Sequence, residues 1–69
     1  MSILLERINT GQRFIEIWLC EPKTNSDEDI EKVLQDLPAN VPYGSFAFIT
    51  TDDGLTVYIK TLKGKWKTV

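Results

Sequence analysis

Residues 21–38 read "EPKTNSDEDIEKVLQDLP", and here the hydrophobic period of the chain changes. Ile30, Val33, Leu34 and Leu37 fall at i, i+3, i+4 and i+7, the single apolar stripe of a helix. Ser26 or Asn25 is placed to cap the first free N–H groups, and Asp29 stands three residues after Ser26 as in a capping box. Acids at the start meet the positive end of the helix dipole, and Pro38 ends the helix because the residue before a proline avoids helical backbone. A lone amphipathic helix needs another surface to bury its stripe, and the flanking segments supply one with a period of two.

Upstream, residues 13–21, "RFIEIWLCE", alternate Ile15, Ile17 and Leu19 against Phe14, Glu16 and Trp18. The apolar run "SILLERI" precedes them, and the "NTGQ" between contains Gly11, a residue free to take the positive φ of a tight turn. A hairpin follows from this pattern. Downstream, "SFAFITT" and "LTVYIKTL" flank "DDG", in which Asp53-Gly54 suits a type I′ hairpin turn. Gly64 marks a further turn, after which "KWKTV" forms a short last strand. The expected fold is therefore α+β, a small antiparallel sheet in ββαβββ order with one helix packed on one face, residues 1–69 forming a single domain.

At 69 residues the chain buries only about 60% of the surface that its unfolded form exposes, so its stability is limited. Small scaffolds compensate with disulfides, a metal or oligomerisation. Cys20 is the single cysteine and histidine is absent, which removes an internal disulfide and the commonest zinc ligand. Oligomerisation is the remaining route, and a homo-oligomer is expected. Glu6 and Arg7 follow only a short apolar run at the amino terminus, which reads as neither a signal peptide nor a membrane span.

Placing Leu55, Val57 and Ile59 under the helix with Ile15, Ile17 and Leu19 puts Thr56, Tyr58, Lys60, Phe14, Glu16 and Trp18 on the other face of the sheet. Trp66 joins that face from the last strand. A free face should be polar, so Phe14, Trp18, Tyr58 and Trp66 are expected to form a protein interface. The competing reading has the register opposite on one strand, or the N-terminal residues folded over these aromatics.

The net charge of −2 conceals an asymmetry. Glu21, Asp27, Glu28, Asp29, Glu31 and Asp36 make the middle acidic, whereas Lys60, Lys63, Lys65 and Lys67 make the end basic. These lysines are candidate charged contacts, either for acidic protein or, interleaved with Tyr58 and Trp66, for nucleic acid. The isoelectric point near 4.9 opposes phosphate, and lysines also guard sheet edges against aggregation, so nucleic acid is not the expected partner. No histidine is available for acid–base work, Cys20 lies in an apolar strand, and capping or turn formation accounts for the paired carboxylates at Asp27 and Asp29 and at Asp52 and Asp53. No catalytic residue, cofactor or metal site is expected, and the chain reads as non-enzymatic.

The C-terminal segment, residues 41–69, resembles a pattern common in small structural proteins and fibre-attachment segments of tailed bacteriophages. Pro42, Gly44, Phe46, Thr50, Thr51, Asp52, Leu55, Val57, Tyr58, Gly64, Lys65 and Trp66 carry the resemblance. It covers less than half of the chain and brings no catalytic residues. It implies a virion structural or assembly protein, located in the virion or the host cytoplasm, that packs against copies of itself and other virion or host proteins. The alternative is a small phage-type regulator or inhibitor that binds a host protein through its acidic helix.

Overall fold

The computed structural model describes all residues, 1–69. The chain forms strands β1 (Ser2–Asn9) and β2 (Phe14–Cys20), helix α1 (Asp27–Gln35), and strands β3 (Phe46–Thr51), β4 (Gly54–Lys60) and β5 (Trp66–Thr68). This is the expected α+β order, with the five strands in a single sheet arranged β1-β2-β3-β4-β5. One pairing departs from expectation, for β2 and β3 run parallel and the sheet is mixed. The cause is the crossover. Residues 21–45 carry the chain from the end of β2 through the helix back to the level of Ile17 in the middle of β2, and a long helical connection is what parallel neighbours require.

Ser26 is the N-cap of α1, its hydroxyl accepting from the Asp29 N–H at 3.2 Å. The reciprocal arm of the capping box is rerouted. The Thr24 hydroxyl donates to the Asp29 carboxylate at 2.6 Å and accepts from the Ser26 N–H at 3.2 Å, thereby linking the two. Ser26→Ala should lower the unfolding free energy by about 0.5–2 kcal/mol, read as the shift in urea midpoint at constant slope.

The hairpin at residues 52–53 also differs from expectation. Thr51 pairs with Gly54, so Asp52 and Asp53 form the turn, and neither has positive φ; that conformation falls on Gly54, at +126°. The turn is not of type I′, which needs positive φ at both central residues. The Asn25 amide donates to the Asp53 carboxylate and ties this turn to the approach of the helix.

The core lies between α1 and one face of the sheet. Leu34 and Leu37 pack with Val41 on Cys20, Ala47 and Ile49, the last three having no exposure at all. Trp18, Ile30, Val33, Tyr58 and Trp66 pack around this centre. The sheet is thus turned over relative to expectation. Register places Trp18 opposite Ala47, Cys20 opposite Ile49, and Ala47 opposite Tyr58, all on the helix side, while Ile15, Ile17, Leu19, Leu55, Val57 and Ile59 point away from α1. The reason is steric. A helix needs close approach to its sheet, and the small side chains Cys20 and Ala47 permit it where Phe46 and Phe48 do not.

Candidate functional site

Of the four aromatics expected at an interface, the structure sets three against the core. Trp18 lies half-buried beside the helix and donates its indole N–H to the Glu16 carboxylate at 2.9 Å. Tyr58 and Trp66 flank the helix on β4 and β5. Phe14 has the same facing as Trp18 but lies at the opposite end of β2 from the core residue Cys20, exposed and with the Arg7 guanidinium 4.6 Å from its ring centre. These residues therefore do not form one free aromatic face.

The four lysines are not one surface either. Lys60 is 9% exposed, donates to the Ala39 carbonyl at 3.3 Å and sets its ammonium 5.6 Å from the centre of the Trp66 ring. Such a group cannot grip a phosphate backbone. Lys63 and Lys65 line an open groove of about 440 Å³, floored by Leu34, Tyr58 and Trp66, whose other wall carries Asp27 and Glu31. The basic end of the chain thus lies across this groove from its own acidic helix. Lys67 pairs with Ile59 and shares the facing of that residue, away from the helix.

The thiol of Cys20 is fully buried, and burial pushes its pKa up, against smaller lowering contributions from a Ser2 hydrogen bond and the amino terminus. A raised pKa depletes the thiolate that a nucleophile needs. No three His, Cys, Asp or Glu side chains gather in a metal-binding cluster. No helix is long and apolar enough to cross a membrane.

The side chains that stand out are those of the helix-free face. On the three central strands it presents Ile15, Ile17 and Leu19 from β2, Phe46, Phe48 and Thr50 from β3, and Leu55, Val57 and Ile59 from β4. All but Thr50 are hydrocarbon, and none is charged. Most are only half-buried, by one another, and Leu55 remains 58% exposed. On the outer strand β1, Ile3 and Ile8 continue the patch, and Leu5, at the register shift between Leu4 and Glu6, is exposed beside it. At about 4.8 Å between strands and about 3.3 Å per residue, these four strands present roughly 450 Å² in projection, within the range of the largest apolar patches of ordinary monomers.

The sheet end of this face is braced by a short polar cluster. The Ser45 hydroxyl, wholly buried, accepts from the Glu16 N–H at 2.8 Å, while Gly44 and Ser45 exchange backbone bonds with Lys60 at 2.8 and 2.9 Å. Arg13 donates to the Tyr43 carbonyl and stacks 3.8 Å from the centre of the Tyr43 ring. Gly44 is required here twice over. Its φ is +88°, and a Cβ would stand 2.6 Å from the Arg13 guanidinium.

The helix-free face was hidden from the sequence because both facings of β2 contain large apolar residues. A signal did exist in "SFAFIT", where Ala47, flanked by Phe46 and Phe48, identifies the side on which a helix can sit. Comparison of the chain with protein-family models, curated proteins and solved structures returns no match.

Proposed function

We propose that this chain is a non-enzymatic assembly protein that works by burying the helix-free face of its sheet against other protein chains, copies of itself included. The observation that carries the reading is the composition of that face: eight hydrocarbon side chains and one threonine on three central strands, with the only helix already committed to the other side. Exposed sheet faces of antiparallel type are ordinarily polar. A face without charge at its centre, edged by charged residues, has the anatomy of an interface core.

A small chain also gains from such burial. At about 25 cal/mol per Å² of apolar surface, covering the face offsets the thin core that 69 residues can form. The C-terminal resemblance to tailed-bacteriophage structural proteins supports assigning the assembly to a virion or to its construction. That context rests on the resemblance, whereas association rests on the geometry.

Sedimentation velocity tests the reading. The wild-type chain should run as a dimer or larger species at micromolar concentration, and Leu55→Lys should shift it to a monomer with an unchanged circular-dichroism spectrum. Leu55 is exposed, so its replacement leaves the fold intact. A wild-type monomer throughout that range rejects self-association by this face.

A further inference from the structure

Resting on that reading, we infer that the free face closes on a second copy of this chain about a two-fold axis running along β3, with Glu6 of each copy against Lys67 of the other. The register carries the inference. Glu6 pairs with Ile17, Ile17 with Phe46, Phe46 with Ile59, and Ile59 with Lys67, so these five residues form one row straight across the sheet. The row reads acid, isoleucine, phenylalanine, isoleucine, lysine. Its two ends are the only charged side chains that the strands present on this face, and they sit on opposite edges.

A row of this kind is self-complementary. Rotation by half a turn about an axis parallel to the strands keeps each row at its own height and reverses its order. Phe46 then meets the partner's Phe46 near the axis, Ile17 meets the partner's Ile59, and Glu6 meets the partner's Lys67 on both flanks. The neighbouring row behaves in the same way. Ile3, Leu19, Phe48 and Val57 pair in sequence across the sheet, and Val69 extends the row by donating its N–H to the Val57 carbonyl at 3.0 Å. That row is apolar throughout and places Phe48 near the same axis.

The other face-to-face dyad runs across the strands. It lays β1 over the partner's β1 and β5 over the partner's β5, which brings like charges to the same flank. Electrostatics thus selects the axis along β3. The resulting packing is that of an aligned sandwich, with sheets about 10 Å apart and strand directions within about 30°. Two faces of roughly 450 Å² in projection, larger in accessible surface once side-chain relief is counted, approach the total of about 1,200–2,000 Å² that a stable specific interface buries. An isologous contact of this type also closes on itself, which is how the commonest soluble oligomers form.

Charge reversal at the two ends of the row tests the orientation. Glu6 and Lys67 are exposed at the sheet edges, so their reversal leaves the monomer fold unchanged. Glu6→Lys alone and Lys67→Glu alone should each raise the dimer dissociation constant by about ten-fold at low salt, since each turns two attractions into two repulsions. The doubly reversed chain should return to within about two-fold of wild type, and the differences should shrink in 1 M salt, where the Debye length is about 3 Å. If the wild type dimerises and Leu55→Lys abolishes the dimer, but the single reversals change nothing, the axis along β3 is rejected while the apolar face stands. A wild-type monomer, or a dimer indifferent to Leu55→Lys, rejects the face and the orientation together.

Discussion

Ile49→Ala should lower the unfolding free energy by about 2–5 kcal/mol, the range observed when a large aliphatic side chain is removed from a close-packed core. Ile49 has no exposed surface and sits at the centre of the cluster formed by Leu34, Leu37, Val41, Cys20 and Ala47. The surrounding backbone belongs to the central strand β3, paired on both sides, so it cannot collapse into the space left behind. Against a typical total of 5–15 kcal/mol, such a loss leaves a chain of this length partly unfolded at moderate temperature. Leu62→Ala is the control, because Leu62 is 79% exposed and its truncation should change stability by no more than about 0.5 kcal/mol. Urea denaturation of both variants at one fixed protein concentration separates the two effects, association being itself stabilising. Equal midpoints for the two would place the core elsewhere.

Trp18→Lys should unfold the chain. A tryptophan truncated in a packed setting costs about 3–5 kcal/mol, and this replacement also sets an ammonium against the core cluster and removes the indole donor from Glu16. Its neighbour gives the opposite result. Ile17 points to the free face, so Ile17→Lys should keep the circular-dichroism spectrum of the folded chain and lose association. Adjacent residues on one strand thus report on the two sides of the sheet. A folded, monomeric Trp18→Lys together with an unfolded Ile17→Lys would reverse the assignment of the faces.

The contrast between these neighbours shows where a reading of residues in order runs out. Helix α1 was legible because its stripe, its Ser26 cap and its Pro38 stop are local features, each carried by residues within one or two turns of the element. The strands and their order were legible for the same reason, since alternation and turn residues lie inside each segment. The fold class follows from that order of elements, and the structure agrees with it. The parallel pairing of β2 with β3 was accessible in principle from the length of residues 21–45, which a helical crossover between parallel neighbours requires.

The facing of the sheet was not local. Along β2 both alternating sets hold large apolar side chains, and period alone cannot say which set a helix will cover. That choice is made between distant segments, where Leu34 of the helix and Leu37 just past its end meet Cys20 of β2 and Ala47 of β3, the two small residues that let the layers close. Once that side is taken, Trp18, Tyr58 and Trp66 become walls of the core, and the isoleucines and phenylalanines are left outside. The row from Glu6 to Lys67 is likewise a property of pairing across the whole sheet, drawn from five strands and nearly the full length of the chain. Local propensity set the elements and their order. Packing volume, which depends on residues far apart in the chain, set which face is core and which is surface.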